Sequence, residues 1–445
     1  MVFDTILSGG TVVNADGERL ADIAIKDGRI AALLAPGGTE NAGTMVKASG
    51  CYLLPGLVDA HAHLRDPGLT HKEDFDSGTT AAALGGVTTI LDMPTDDPWT
   101  ATPLQLSAKM EMAEGRIHVD VGFQVVLSHD LRFLDALEAL SPVSFELFTA
   151  DVPDGFLFPT LDAVTEALRR LATRPTLVGV SPGDQSILLG SAARDHDGNL
   201  SSFLASRPPL AEANGIARAL LAAASSGARV HVRQVNSALG LSIWRRLRDM
   251  ADATVETTPQ NLFFTDADYA RQGANLKGSP PLRGTQDVEA LRAALREGLI
   301  DIVGTDHAPH SPAEKASAYP GFADIPGGMP GLQTLLSVML KLVDEKLIDW
   351  ADLVRMCARN PATRFGLGQS KGTIAPGYDA DILVIDPCRT SRISNVEQAT
   401  RAGYTPFDGW EVPFRLDRVF LRGNEIVQYG RLTGRPRGRV VRRGP

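Results

Sequence analysis

Cysteine is scarce in this chain of 445 residues: Cys51, Cys357 and Cys388 are far apart and odd in number. They offer no disulfide framework and no Cys-x-x-Cys metal site, so we expect a reducing, cytoplasmic location. No apolar run is long enough to cross a membrane, and no basic segment precedes an apolar one at the N-terminus. Neither a membrane span nor a signal peptide is therefore predicted.

Positive charge is also in deficit, with 44 lysines and arginines against 53 acidic residues and a net charge of -9. This balance argues against nucleic acid and anionic membranes as partners. Arginines do concentrate in the last stretch, residues 431–443, where we expect a solvated tail or a segment docked on a neighbouring subunit. Sequence repeats are lacking too, so solenoid architectures are not expected.

The chain does have a residue pattern that changes along its length. Residues 1–55 are short alternating segments with turns such as Asp27-Gly28, typical of β-hairpins. Residues 56–365 alternate short apolar strands with helical runs at 161–172, 211–226 and 287–297. Residues 366–445 again show short alternating segments with turns, as in β-hairpins. Eight strands are predicted, at 57–61, 88–92, 119–126, 143–148, 176–180, 229–235, 254–258 (the weakest signal) and 301–304.

This order predicts an α/β fold: a (β/α)₈ TIM-like barrel over residues 56–365. Residues 1–55 and 366–445 together are predicted to build one small β-sandwich domain from both chain ends.

Two histidines close the first barrel strand, in the segment 59–65, Asp-Ala-His-Ala-His-Leu-Arg. Residues two apart on a strand face the same way, so His61 and His63 can hold one divalent metal ion. Arg65 continues the alternation and can offer its guanidinium to a substrate carboxylate or carbonyl. Taken alone, the pattern is better explained by two histidines hydrogen-bonded at a strand end. Active sites of this fold lie at the carboxyl ends of the strands, however, and further polar residues fall there: Asp92, Glu146, Gln234 and Asp306.

The segment 59–65 resembles the amidohydrolase superfamily, and within it the cyclic amidohydrolases: dihydroorotases, hydantoinases and allantoinases. The resemblance covers nearly the whole chain and implies the barrel fold and the metal-dependent hydrolysis of a cyclic amide, imide or ureide. Further segments that carry it are 85–94, 279–283 (Ser-Pro-Pro-Leu-Arg), 304–311 (Gly-Thr-Asp-His-Ala-Pro-His-Ser) and 360–362 (Asn-Pro-Ala).

The resemblance also implies roles for individual residues. His61 and His63 would be metal ligands, and Asp306 would be both a ligand and the general base. In this chemistry a divalent ion lowers the pKa of a water and polarises the amide carbonyl, while a carboxylate carries the proton to the leaving nitrogen. Arg65 and His310 match positions that bind the substrate carboxylate in dihydroorotases, although Arg65 could also form a surface salt bridge.

Most of this branch carries two metal ions, bridged by a carboxylated lysine, with histidines from the fifth and sixth strands on the second ion. Here those three positions hold Glu146, Ser181 and Gln234. Serine and an amide are poor zinc ligands, and Glu146 is shorter than a carboxylated lysine. His231 is expected to point to the opposite face from Gln234, three residues away.

We therefore predict a single divalent ion, with zinc favoured, held by His61, His63 and Asp306. Glu146 is predicted as a fourth ligand or, alternatively, as an ion-paired structural carboxylate. Thr95 and Ser279 stand where dihydroorotases usually have asparagine. The predicted substrate pocket is thus a composite that does not identify the substrate. Its predicted residues are Arg65, Thr95, Ser279 and His310.

Two functions of different classes remain open. The first is a mononuclear hydrolase of a small cyclic amide, imide or ureide. The second is a non-catalytic, dihydroorotase-like subunit that assembles with another enzyme, for example aspartate carbamoyltransferase, which would explain the missing ligands. The intact first metal site favours the hydrolase. A deaminase is disfavoured by Ser181, because single-metal deaminases usually keep a histidine there. A homodimer or homotetramer is expected, as is common among such relatives.

Overall fold

A computed structural model describes residues 2–38, 40–194 and 197–444. The N-terminal part forms β1 (Phe3–Asn14), β2 (Gly17–Lys26), β3 (Arg29–Leu34), β4 (Ala42–Lys47) and β5 (Tyr52–Pro55). Strands β1, β2 and β3 are antiparallel neighbours. Asp27 and Gly28 join β2 to β3 with φ angles of 51° and 78°. Positive φ at both positions is the conformation of a two-residue hairpin turn that matches the twist of the strands.

Eight parallel strands form the barrel and pair in chain order. They are β6 (Leu57–Ala62), β7 (Val87–Asp92), β8 (Asp120–Val126), β9 (Ser144–Phe148), β10 (Leu177–Ser181), β11 (Val230–Val232), β12 (Ala253–Thr257) and β13 (Ile302–Val303). The ring closes because Ala62 pairs in parallel with His307, and the His63 N–H donates to the His307 carbonyl at 2.7 Å. The predicted fold class is confirmed, including β12, the strand with the weakest sequence signal.

Helices lie between the strands along the chain and after the last barrel strand. They are α1 (Phe75–Leu84), α2 (Pro103–Ala113), α3 (Leu134–Ala139), α4 (Leu161–Leu171), α5 (Gln185–Ala192), α6 (Leu200–Ser206), α7 (Pro209–Ser226), α8 (Ala238–Leu247), α9 (Pro259–Phe263), α10 (Tyr269–Gln272), α11 (Thr285–Arg296), α12 (Pro312–Ala316), α13 (Leu335–Asp344), α14 (Trp350–Val354) and α15 (Asn360–Arg364). A π-helical turn, Arg355–Arg359, joins α14 to α15.

Helix α4 illustrates how the sequence specifies these elements. The Thr160 hydroxyl accepts from the Ala163 N–H at 3.2 Å and caps the first turn. Buried Val164, Leu168 and Leu171 recur at helical spacing, so one stripe of the helix joins the barrel core. The predicted helices at 161–172, 211–226 and 287–297 correspond to α4, α7 and α11. Within the described ranges, no helix has the length and apolarity needed to span a membrane.

The C-terminal part adds β14 (Ile382–Asp386), β15 (Ser391–Arg392), β16 (Glu411–Val412), β17 (Arg415–Leu421), β18 (Asn424–Gln428), β19 (Arg431–Leu432) and β20 (Val440–Val441). Strand β14 lies antiparallel to β5, so the two chain ends meet inside one sheet of order β19-β18-β17-β14-β5-β1-β2-β3, with β4 beside β1. This sheet has its own apolar core, which includes Leu7, Ile23, Leu53, Ile382 and Phe420. The domain limits at residues 55 and 366 stay a prediction.

The last part of the arginine-rich end contacts the barrel of the same chain. Val440 pairs in parallel with Val121, so β20 adds to barrel strand β8. The Arg439 N–H donates to Asp120 Oδ1 at 2.8 Å, and Arg443 pairs with Glu138 at 2.7 Å. The expectation for residues 431–443 is corrected: their last part docks on the barrel of the same chain.

A buried ion cluster joins the small sheet to the barrel. Lys371 Nζ lies 2.6 Å from both Asp120 Oδ2 and Asp381 Oδ2, and 3.0 Å from Asp379 Oδ2. Arg422, between β17 and β18, also pairs with Asp120. Burial acts to lower the pKa of Lys371, but the charges of Asp381 and Asp120 outweigh it and raise that pKa. Because the ammonium lies among the three carboxylates, the cluster is a structural contact rather than a metal site.

Candidate metal centre and cleft

The structure brings the predicted ligand trio together at the carboxyl ends of the barrel strands. His61 lies in β6, His63 directly follows that strand, and Asp306 follows β13. The Nε2 atoms of His61 and His63 lie 3.4 Å and 3.3 Å from Asp306 Oδ1. One ligand atom from each residue can be chosen so that all lie within 4.8 Å of one another. Two imidazole nitrogens and a carboxylate oxygen at this spacing suit a single divalent ion such as zinc.

Hydrogen bonds fix the orientation of both imidazoles. His61 Nδ1 lies 2.5 Å from Glu256 Oε1, and His63 Nδ1 lies 2.7 Å from the Thr95 hydroxyl. An ionised carboxylate can only accept, so His61 carries its proton on Nδ1 and leaves the Nε2 lone pair free. An outer carboxylate that orients a ligating histidine is a recurrent feature of protein metal sites. The residues present therefore fit a metal ion. Thr95 thus contacts His63, and its role in substrate binding stays a prediction.

The environment also sets the charge of the trio. Burial, together with the charge of Arg65, keeps the pKa of His63 well below its usual value, so this ring is in the neutral form that binds metals. Burial acts to lower the pKa of His61 as well, but the charges of Glu256 and Asp306 outweigh it and raise that pKa. Burial raises the pKa of Asp306 to about 6. A site that disfavours its own carboxylate anion is stabilised by a bound cation.

Glu146 does not join the trio, which corrects its prediction as a fourth ligand. Its Oε1 accepts from Arg233 Nη2 at 2.6 Å and from the Ser144 hydroxyl at 2.7 Å. Its Oε2 accepts from Arg233 Nε at 3.2 Å. Both oxygens are thus occupied inside the barrel, because Arg233, which directly follows the sixth barrel strand, lies beside them. Of the two alternatives predicted for Glu146, the ion-paired carboxylate is the one that the geometry shows.

Arg233 is fully buried and fully hydrogen-bonded. A guanidinium has five N–H groups, and five contacts to acceptors account for them. Besides the two to Glu146, they reach Gln124 Oε1 at 2.5 Å, the Ala60 carbonyl at 2.9 Å and Glu256 Oε2 at 3.2 Å. Arg233 therefore links Glu146 to Glu256, and through Glu256 to the predicted metal ligand His61.

His231 belongs to the same network, contrary to the expectation that it faces away. Its Nε2 lies 2.9 Å from Glu256 Oε2, in the barrel interior. That expectation assumed that the strand continues through Gln234, so that side chains alternate between its two faces. Strand β11 ends at Val232, however, and Gln234 has a φ of 47°, so the alternation does not extend to Gln234. Gln234 then points to the trio as well and donates to Asp306 Oδ2.

A cleft of about 220 Å³ opens beside the trio. Apolar side chains such as Met93, Phe148 and Leu188 form part of its lining. The polar residues of the lining, beyond the trio, include Asp151, Ser181, Arg207, Glu212, Arg233, Gln234, Ser279 and Arg283. A concave, mainly apolar site with a few convergent polar groups is the usual form of a small-molecule site.

The four predicted substrate residues are distributed unevenly around this cleft. Ser279 lines it, whereas Arg65 and His310 are not part of its lining. Burial raises the pKa of Asp306, and Arg65 is close enough for its charge to oppose that rise in part. The Arg65 Nε is buried without a hydrogen-bond partner. His310 Nε2 lies 3.0 Å from the Gly327 carbonyl, whereas its Nδ1 has no hydrogen-bond partner and lies 3.8 Å from Glu314 Oε2. Burial lowers the pKa of His310 to about 3, so its ring is neutral.

Comparison with known proteins identifies the family. The dihydro-orotase-like family model matches residues 50–238, and the amidohydrolase family model matches residues 247–426. An allantoinase from Deinococcus radiodurans is 34% identical over 452 residues, or 99% of each chain. A dihydroorotase from Methanothermobacter thermautotrophicus is 33% identical over 93% of each chain. The chain belongs to the cyclic amidohydrolases of the amidohydrolase superfamily.

Solved structures of cyclic amidohydrolases share the whole architecture. The L-hydantoinase (dihydropyrimidinase) from Arthrobacter aurescens superposes with a TM-score of 0.94 at 28% identity, covering 99% of this chain and 100% of that chain. The dihydropyrimidinase from Brevibacillus agri gives 0.92 at 28% identity, covering 99% and 98%. As a cyclic amidohydrolase, the protein is a hydrolase of C–N bonds in cyclic amides, of a family that generally uses divalent metal ions.

Three polar residues of this amidohydrolase escaped the sequence analysis. Glu256 and Arg233 bear charges inside short apolar strands, a signal that could have marked them as buried partners of each other. Arg207 directly follows α6 and carries no such signal, because only the folded chain brings it to the cleft.

Proposed function

We propose that this cyclic amidohydrolase opens the ring of a small amide, imide or ureide with a single divalent metal ion, zinc being favoured. His61, His63 and Asp306 are the residues that hold it. The observation that supports this most directly is the pair of short distances, 3.4 Å and 3.3 Å, from the two histidine Nε2 atoms to Asp306 Oδ1. The contacts by which Glu256 and Thr95 orient the two imidazole rings also support the proposal.

The lack of a second ion in this proposal follows from the state of three side chains. Both oxygens of Glu146 are bound to Arg233, so Glu146 is not free to bridge two ions. Ser181 and Gln234 line the cleft but offer a hydroxyl and an amide, which are weak zinc ligands. Gln234 instead donates to Asp306 and helps to orient it.

A divalent ion at the trio supplies Lewis acidity, lowering the pKa of water and polarising a ring carbonyl. Asp306 acts as the general base: its carboxylate accepts the proton of the attacking water and then delivers it to the leaving ring nitrogen. Ser279 contacts the substrate in the cleft, and Arg65 and His310 bind its carbonyl or carboxylate oxygens. The buried Arg65 Nε and His310 Nδ1 support this last assignment, because neither has a hydrogen-bond partner and buried polar atoms normally have one.

Elemental analysis of protein purified without chelator tests the proposal. We expect one equivalent of zinc or a similar ion per chain, lost in His61→Ala but retained in His71→Ala, a control on an exposed histidine away from the trio. The loaded protein should open at least one ring in a panel of dihydroorotate, hydantoin and allantoin. Two equivalents would contradict the mononuclear site. No metal after incubation with divalent ions would instead favour the non-catalytic assembly protein.

A further inference from the structure

Three arginines line the cleft, and two of them, Arg207 and Arg283, are connected to each other and have no role in the proposed reaction. Arg207 directly follows α6, and Arg283 lies shortly before α11; both line the cleft that contains the ligand trio. They are connected, because Arg283 Nη1 donates to the Arg207 carbonyl at 2.6 Å. Two guanidinium groups in one small cleft can offer charge-assisted hydrogen bonds to an anionic group on the ligand.

Arg207 has donors to spare. Its Nη2 pairs with Asp151 Oδ2 at 2.6 Å, and its Nη1 donates to the Ser206 hydroxyl at 3.1 Å. Its Nε is buried and has no hydrogen-bond partner. Within the described part of the chain, five arginines have such an Nε, and Arg207 is the one among them that lines the cleft: Arg65, Arg207, Arg218, Arg364 and Arg443.

Arg233 provides an internal contrast. It lines the same cleft, yet all five of its N–H groups are matched to acceptors, so it has no donor left for a ligand. Glu212, another charged residue of the lining, is also engaged, since its carboxylate accepts from the Asn236 N–H and the Ser237 hydroxyl. Arg207 and its partner Asp151 are thus the charged pair of the cleft that a ligand can rearrange.

The Asp151 contact is one that an anion can replace. The Asp151 side chain is 46% exposed, and exposed ion pairs are weak because water competes with them. Its backbone N–H is held by Gln185 Oε1 at 2.8 Å, with φ at 60°, so the residue itself is anchored while its carboxylate remains at the surface. A ligand carboxylate inside the cleft would be better shielded from water than the carboxylate of Asp151 is.

We propose that Arg207, supported by Arg283, binds a carboxylate on an exocyclic arm of the substrate, which displaces Asp151 as its partner. This subsite rests on the proposed hydrolase function and narrows its substrate class to cyclic amides or ureides that carry a short acidic arm.

Two substrates that differ in one group test this subsite: hydantoin-5-acetate and its neutral counterpart hydantoin-5-acetamide. We expect kcat/KM to favour the acetate at least about tenfold, the range of a hydrogen bond to a charged group. Arg207→Met should bring the ratio of the two values close to one, mainly by raising KM for the acetate. Arg207→Lys should retain part of the preference, and Asp151→Asn should increase it. Arg169→Met, on the exposed face of α4, is the matched control and should leave the ratio unchanged.

A ratio near one in the wild-type protein, or a preference that persists in Arg207→Met, would overturn the subsite. If neither hydantoin is opened, calorimetric binding of the acetate to the metal-loaded protein separates the two proposals. Binding that depends on Arg207 would support the subsite while hydantoin hydrolysis fails, and no binding would refute the subsite. Thermal unfolding checks that Arg207→Met folds; if it does not, Arg207→Lys and Asp151→Asn decide.

Discussion

Each imidazole of the ligand trio has one nitrogen held by a partner and the other turned toward Asp306. For His61 the partner is Glu256 and for His63 it is Thr95. Because these contacts already orient the two rings, metal binding costs little conformational freedom. The residue scale is therefore where metal affinity and the proton-transfer step can be separated by mutation.

The Asp306→Asn variant separates metal binding from proton transfer, because it changes the general base. Asparagine has nearly the same shape, but its amide cannot accept the proton of the attacking water. We expect kcat to fall by about 10² to 10⁴-fold, the usual contribution of general base catalysis, with the fold intact and most metal binding retained. Steady-state kinetics and metal analysis on the same sample measure both. Gln234→Ala is the companion variant and should keep its metal content. A near-normal rate in Asp306→Asn would remove Asp306 as the base.

Glu256→Gln tests the orientation of His61. The amide oxygen can still accept from His61 Nδ1, but the negative charge shared by His61, His231 and Arg233 is lost. We expect metal affinity to fall about 10- to 100-fold, measured by competition with a chromophoric chelator. Thr95→Ser, which keeps a hydroxyl for His63, is the control with unchanged affinity. Unaltered affinity in Glu256→Gln would show that Glu256 does not position the ligand.

The ligand trio could be predicted from the sequence because strand alternation and fold-specific strand ends place those residues with few assumptions. The partners of Glu146 could not. Its contact with Arg233 joins residues 87 positions apart, across strands whose inward faces are defined only once the barrel closes. The direction of the Gln234 side chain depends on the positive φ of Gln234 itself. The sequence does not reveal a positive φ at a non-glycine residue.

At the scale of elements, Arg233 connects four barrel strands through side-chain contacts. It reaches Ala60 on β6, Gln124 on β8, Glu146 on β9 and Glu256 on β12. The barrel interior next to the trio is therefore a charged layer rather than an apolar one. A layer of this kind is stable only while every charge has its partner.

Arg233→Met should accordingly destabilise the fold by about 3 to 5 kcal/mol, because it leaves Glu146 and Glu256 buried without their cation. Denaturant unfolding of the metal-loaded protein measures the loss. Adding Glu146→Gln to the same chain should recover part of it, since one unpaired carboxylate is then removed. A loss below about 1 kcal/mol, or a double variant less stable than the single one, would contradict this account.

At the scale of the whole molecule, the chain ends and the barrel are held together by contacts between distant parts of the sequence. The end strand β20 pairs with β8, and Asp120 at the start of β8 is contacted by Lys371 and Arg422. The sequence pattern predicted that the two chain ends share a sheet, because alternating apolar and polar residues and turn residues recur at both ends. It did not reveal where that sheet and the last residues attach to the barrel, since attachment depends on tertiary ion pairs rather than on local pattern.

Lys371→Met tests that attachment. The ammonium is buried between Asp120, Asp379 and Asp381, so its removal leaves like charges together in a site with little water. We expect a loss of about 3 to 5 kcal/mol in the free energy of unfolding, observed in chemical denaturation. Lys26→Met is the matched control, because Lys26 pairs with Asp4 at 2.7 Å on the surface and its loss should hardly matter. Adding Asp381→Asn to Lys371→Met should restore part of the stability. Equal effects of the two lysine variants would mean that the cluster does not secure the small sheet to the barrel.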